Sequence, residues 1–243
     1  MEVTDLEARL QSVLGRIAAA AERAGRDPAQ VRLVAVTKTL SPPLIAAAHD
    51  LGLRDFGENR VEEAAAKVAS LPGDINWHMI GHIQSRKARQ VVSLFQFVHS
   101  VDSLRLALRL DRIAAQRPQP LRVLLEINVS GEKSKSGIPA ARWTEDRTQR
   151  ELLVASVRQI AALRHLEVEG LMTIAPLAAE AEQARPFFSS LRALRDELGS
   201  IVPESKWHHL SMGMTDDFEV AIEEGATIVR IGRAIFAPGR PAA

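Results

Sequence analysis

Eight times along the chain a short, strand-like run is followed by a longer stretch of helical period, and this alternation restricts the fold more than any other feature. The strand-like runs are VRLVAVTK (31–38), RDFGEN (54–59), NWHMIG (76–81), FQFVHSV (95–101), LRVLLEINV (121–129), LEVEGLMTI (166–174), KWHHLSMG (206–213) and TIVRIG (227–232). The first is apolar almost throughout, which suits a strand covered on both faces. Helical patterns lie between them, for example at 61–69, 104–115, 152–163, 181–198 and 216–224. Eight such units in 243 residues predict one closed parallel (β/α)8 barrel, of TIM-barrel type, as a single domain over 1–243. An open doubly wound sheet is the competing fold; neither GxGxxG after a strand nor GxxxxGK[ST] is present to support it.

An additional helix precedes the first strand. Thr4 and Glu7 have capping-box spacing, Leu6, Leu10, Val13, Leu14 and Ile17 share one face, and Gly25 stands where a helix would stop. Pro42 and Pro43 open the next helix, which carries Leu44, Ile45, Ala48 and Leu51. The segment 130–150, rich in Gly, Ser, Lys and Pro, reads as a mobile βα loop at the barrel mouth. Past Gly232 eleven residues remain, too few for a second domain.

Composition closes several chemical routes. There is no cysteine, hence no disulfide framework, thiolate nucleophile or Cys-based zinc or iron–sulfur site. There is no tyrosine, hence no phenolic acid or base. A net charge of +1 gives no field to steer nucleic acid or an anionic membrane. The amino terminus is acidic and lacks a signal pattern, and no apolar stretch approaches the length of a membrane span. A monomeric, cytoplasmic protein without nucleic-acid or membrane partners is the expectation.

Barrels of this kind place their sites at the carboxyl ends of the strands. The polar residues there are Lys38, Glu58, Asn59, His82, Asp102, Asn128, Thr173, Ser211 and Arg230. Lys38 follows an apolar strand, and partial desolvation at the mouth would lower its pKa, as a Schiff-base lysine requires. The alternative is a lysine that snorkels outward or pairs with Glu58. The loops SMGMT (211–215) and VRIGR (229–233) follow the seventh and eighth strands, where barrels commonly bind phosphate through backbone N–H groups. They are equally compatible with two ordinary strand ends and their turn glycines. Closure of the ring would make Arg230 a neighbour of Lys38.

Taken in order, AVTK with its Pro-opened helix, FGENRVEEAAAK, WHMIGHIQSRK, VHSVDS, EINVSGEKSKSG, GLMTIAP, LSMGMTDDFEVAI and GATIVRIGRAIF cover nearly the whole chain. Together they resemble the pyridoxal phosphate homeostasis protein family. The resemblance implies a barrel like the alanine racemase amino-terminal domain (PLP fold type III), with pyridoxal 5′-phosphate (PLP) held as a Schiff base on Lys38. It further implies a phosphate cup from Ser211, Gly232 and the backbone of Arg233, with Met214 and Thr215 beside it, and Arg230 facing the pyridine nitrogen. Asn59 and His82 match positions lining the mouth, and Lys135 in the SKSG block is a secondary contact. Two positions depart from the usual pattern, Arg86 and Ala237, and neither belongs to this set.

The function so implied is non-catalytic: PLP is buffered and delivered to apo-enzymes in vitamin B6 homeostasis. An Arg at the pyridine nitrogen opposes ring protonation and weakens the electron sink that amino-acid chemistry needs. The related racemases use a lysine and a tyrosine from a second domain as opposed bases. The alternatives are a racemase that pairs Lys38 with a non-tyrosine base such as His82, and a barrel-type lysine aldolase. No metal site is expected: His78 and His82 span a strand and its exit, and His208 and His209 face opposite sides of a strand. Arg86, Lys87 and Arg89 read as a solvated helix face, and Asp216 and Asp217 as residues serving a helix start.

Overall fold

A strand that is apolar on both faces needs a helix over one side and a filled interior on the other, and the computed structural model shows that arrangement closed into a ring. It describes residues 3–177 and 179–237; the ends of the expected 1–243 domain, 1–2 and 238–243, lie outside the described residues. The strands are β1 (Arg32–Val36), β2 (Asp55–Glu58), β3 (Asn76–Met79), β4 (Phe97–Val101), β5 (Leu121–Asn128), β6 (Ile138–Pro139), β7 (Leu166–Met172), β8 (His209–Ser211) and β9 (Ile228–Ile231). Eight of them form the ring β1-β2-β3-β4-β5-β7-β8-β9, parallel throughout, and β9 returns to β1 with Val34 opposite Arg230. All eight expected strands are present, each within its predicted run. The short β6 adds to the rim of β5, with Ile127 opposite Ile138.

The helices are α1 (Val3–Arg23), α2 (Pro42–Asp50), α3 (Val61–Val68), α4 (Ala88–Leu94), α5 (Leu104–Ala114), α6 (Arg147–Ala161), α7 (Arg185–Ile201), α8 (Phe218–Glu223) and α9 (Arg233–Phe236). In α1, Leu6, Leu10, Val13 and Ile17 are buried, whereas Leu14 is 38% exposed at the edge of that stripe. Thr4 lies inside the helix rather than capping it. Gly25 does end it: at φ +65° its N–H donates to Glu22 O and that of Arg26 to Ala21 O, the paired bonds of a Schellman turn. The helix packs against α8 and α9, with Arg16 and Arg23 reaching Glu219 and Glu223. It thus braces the last βα unit, the one that closes the ring.

The segment after β5 is more structured than its composition suggests. Residues 147–150 already belong to α6. Ahead of it, the Asn128 side chain donates to Glu132 O, accepts from the Gly131 N–H, and β6 is hydrogen-bonded to β5. An Asn that satisfies the backbone of its own loop substitutes for a ladder partner.

Two apolar clusters result. The larger lies between ring and helices; the smaller, Val34, Phe97, Leu124, Met172 and Ile228, comes from five strands and fills the bore. Fit around the bore is tightest at Gly170, where the register with β5 shifts and a Cβ would stand 1.9 Å from His209 O. Gly170→Ala is expected to cost at least ~2 kcal/mol, because the obstructing atom is backbone. A lowered denaturant midpoint with unchanged slope would register it.

Candidate functional site

β1 ends at Val36, and Lys38 stands two residues beyond it on the rim, where its side chain is exposed. The expected partial desolvation is therefore absent, because the chain leaves the bore before it reaches the lysine. Thr39 takes φ +64°, a left-handed conformation that costs a β-branched residue energy and turns the chain sharply after Lys38. Its hydroxyl donates to Lys38 O and its N–H to Glu63. Nor does Lys38 pair with Glu58. That carboxylate is fully buried and accepts from Lys67 Nζ at 2.7 Å and Thr37 Oγ1 at 2.7 Å. Lys67 also donates to Thr37 O, so a buried ion pair anchors the residue before Lys38. Removing either charge would strand the other in the interior.

Lys38 opens onto a cavity of about 330 Å³ shared with Val36, Met214, Thr215, Arg230, Gly232 and Arg233. Its other wall is the segment after β7, including Ala175 and Glu180. Six residues singled out in the sequence thus meet here. Gly232 lies close to β1, since a Cβ there would stand 3.2 Å from both Val36 Cβ and Val36 O. Arg233 lines the cavity, and its guanidinium pairs with Asp216 at the exposed edge. Asp217 is the N-cap residue of α8 but its side chain makes no capping bond; its Oδ1 accepts the Met214 N–H at 2.6 Å and fixes the loop after β8.

Four expected residues stand elsewhere. Ser211 does not line the cavity: it is fully buried, with its hydroxyl directed into the bore. Asn59, His82 and Lys135 line an adjoining cavity of about 250 Å³ with Glu126 and Asn128. His82 Nδ1 is 3.1 Å from Asp102, and Lys135 bonds Glu132 and Ile174 O.

The bore holds polar groups that sequence reasoning missed. Asp55 Oδ1 is 2.8 Å from His78 Nε2, His78 Nδ1 is 3.0 Å from His99 Nε2, and His99 Nδ1 is 2.9 Å from Ser211 Oγ. Arg230 then donates to Ser211 Oγ at 2.7 Å and to Thr173 O at 2.9 Å. Burial holds both histidines below the usual imidazole value, His99 well below, so each carries one N–H at neutral pH. Burial opposes ionisation of Asp55, but the His78 bond and Arg32 outweigh it and keep the carboxyl low. Burial lowers Arg230 only to about 10, and it stays charged.

With an acceptor at one end and a donor at the other, only one proton arrangement satisfies every link: Arg230 to Ser211, Ser211 to His99, His99 to His78, His78 to Asp55. Ser211 therefore has no hydrogen left for a ligand. The sequence signal was available: His78, His99 and Glu126 place ionisable side chains inside strand-like runs that are mostly apolar. Glu126 is also buried; desolvation first and Asp102 second raise its carboxyl to about 7 against the opposing effect of Arg230.

Comparison with known proteins gives a consistent result. The family model described as alanine racemase, N-terminal domain, matches residues 9–238. A pyridoxal phosphate homeostasis protein of Pseudomonas aeruginosa is 45% identical over 231 residues, covering 93% of each chain. One from Aquifex aeolicus is 41% identical over 94% of this chain and 96% of its own. Among solved structures, PipY of Synechococcus elongatus with PLP bound superposes with a TM-score of 0.79 at 36% identity, over 96% of this chain and all of that one. An alanine racemase of Clostridium difficile shares the fold alone, at 14% identity and TM-score 0.69, over 98% of this chain and 58% of that one.

The proton arrangement in the bore is open to direct measurement. Nitrogen-15 NMR at neutral pH should find His78 and His99 both neutral and both protonated at Nε2. A protonated Nδ1 on His99, or an imidazolium at either position, would contradict it.

Proposed function

The chain belongs to the pyridoxal phosphate homeostasis protein family, and from that premise we propose that it binds PLP in the Lys38 cavity and serves to buffer and deliver that cofactor. The observation that carries the reading is the convergence of Lys38, Arg230, Thr215, Gly232 and Arg233 on one cavity of about 330 Å³. The donor set fits an anionic aromatic aldehyde: an amine, a buried guanidinium, a hydroxyl, and backbone beside a glycine. Bound there, PLP supplies an amine-reactive aldehyde and an electron-withdrawing ring.

In this reading each residue has a separate task. Lys38 is the covalent anchor through Nζ, and its exposure leaves the amine accessible for loading and release. Gly232, Thr215 and the backbone of Arg233 hold the phosphate, with Met214 on the same wall. Ser211 takes an indirect part, holding Arg230 rather than the phosphate. Arg230 is assigned to the ring nitrogen; its fixed positive charge there disfavours ring protonation and with it carbanion chemistry. Asn59, His82 and Lys135 belong to the adjoining cavity.

This favours a carrier over an enzyme. His82, the second base of a racemase reading, is held by Asp102 and lines the adjoining cavity instead of the Lys38 cavity. The chain contains no tyrosine to replace it. Among the described residues no helix is long and apolar enough to cross a membrane. A cytoplasmic monomer that meets apo-enzymes transiently completes the proposal.

Titration with PLP should produce a visible absorbance band that borohydride reduction fixes onto Lys38, as shown by peptide mapping. Lys38→Ala should lose the adduct while changing stability by no more than about 0.5 kcal/mol, as expected for an exposed side chain. An adduct formed in equal yield on another residue of the variant would overturn the assignment.

A further inference from the structure

The outer face of α5 carries a charge that its surroundings do not balance. Arg105, Arg109 and Arg112 are exposed, and among the described residues none of them makes an ion pair or a side-chain hydrogen bond. Exposed arginines elsewhere are matched to carboxylates, as Arg16 is to Glu219, Arg23 to Glu223 and Arg147 to Glu151. The acidic residues nearest in the chain are committed: Asp111 accepts the His165 N–H, and Asp102 pairs with His82. Arg105 moreover stands in the first turn of α5, where the macrodipole disfavours a cation. Helix stability therefore does not account for it.

The same face is apolar at its centre. Leu104 and Leu108 line a groove of about 520 Å³ with the three arginines and Ser85, and Leu108 is 47% exposed. Leu108 is one helical turn from Leu104, Arg105 and Arg112, so cations flank it. With the rise of an α-helix, Arg105 to Arg112 spread over about 10 Å, more than one compact anion spans. The complementary surface is an apolar side chain flanked by carboxylates at one-turn spacing, which is one face of an acidic amphipathic helix. A nucleic-acid strand fits less well, since α5 carries no aromatic side chain on which a base would stack. An anionic membrane fits less well too, because two leucines offer little apolar area to insert.

We propose that this face of α5 is a docking surface for an acidic amphipathic helix of another protein. Its carboxylates pair with Arg105, Arg109 and Arg112, and its apolar side chain enters the groove over Leu104 and Leu108. The groove continues toward the barrel mouth, since Ser85 and Arg105 also line a cavity of about 360 Å³ with His82, Asp102 and Gly137. A docked helix therefore lies at the approach to the mouth without occupying the Lys38 cavity. The inference goes beyond the proposed function and does not require PLP to be bound.

The test is fluorescence anisotropy of the full chain with a fluorescein-labelled helical peptide of glutamate, leucine and alanine, its leucines flanked by glutamates one turn away. The peptide should bind saturably, lose affinity as salt rises, and bind at least tenfold more weakly when its glutamates are replaced by glutamine. Arg109→Glu should weaken it at least tenfold, and a lysine version of the peptide should bind that variant better than the unmodified protein. Leu108→Ala should weaken binding while keeping its salt dependence. Arg23→Glu, the same charge change on α1, should leave binding unchanged. The circular dichroism of Arg109→Glu should match that of the unmodified protein, so that a loss of binding reads the face rather than the fold.

No saturable binding, undiminished binding of the glutamine peptide, unchanged affinity in Arg109→Glu, or an equal loss in Arg23→Glu would each overturn the proposal. Tighter binding of a single-stranded RNA oligonucleotide or of phosphatidylserine vesicles than of the peptide would overturn it in favour of another polyanion. Self-association in sedimentation that Arg109→Glu abolishes would overturn it in favour of a second copy of the chain.

Discussion

The pairing of β9 with β1 is the contact on which the rest depends. It closes the ring, and by setting Val34 opposite Arg230 it brings the last strand's guanidinium beneath the rim that carries Lys38. Gly232 completes that approach, since a side chain there would crowd Val36. The N-terminal helix supports the same junction from outside by packing on α8 and α9. A site made from the two ends of a chain requires that its last unit be held in place, and here the helix preceding the first strand does so.

Within the ring the physical problem is a bore that is only partly apolar. Val34, Phe97, Leu124, Met172 and Ile228 account for its oily part. The remainder is a hydrogen-bonded series from Asp55 to Arg230, which makes burial of two imidazoles and a guanidinium tolerable because every link has a partner. Its charged ends set the direction of each proton between them. Arg230 is thereby committed to two fixed acceptors, giving the site a cation whose position does not rely on a ligand.

Much of the fold was legible because period alone separates strands from helices. The eight runs anticipated the eight ring strands, and Gly25 and Pro42 marked a helix end and a helix start for reasons of local conformation. Errors arose where a residue had two local options. Thr4 reads as a cap but lies inside α1, and Asp217 stands at the start of α8 as expected but turns its side chain to the Met214 N–H. Lys38 reads as desolvated because the strand before it is buried, yet two residues beyond the strand end are enough to reach solvent. The polar residues within β3, β4 and β5 were visible as interruptions, but their partners lie on other strands and no spacing pairs His78 with His99 or His99 with Ser211.

The sequence by itself determined the order of elements, the closed parallel architecture and, through motif resemblance, the family. These follow from local periodicity and from residues close together in the chain. Only the tertiary structure decided that Ser211 faces the bore rather than the Lys38 cavity and that Glu58 belongs to Lys67. The reason is physical: burial and hydrogen-bond partnership belong to pairs of residues brought together by ring closure, and a linear pattern records neither the distance between them nor the water that has been excluded.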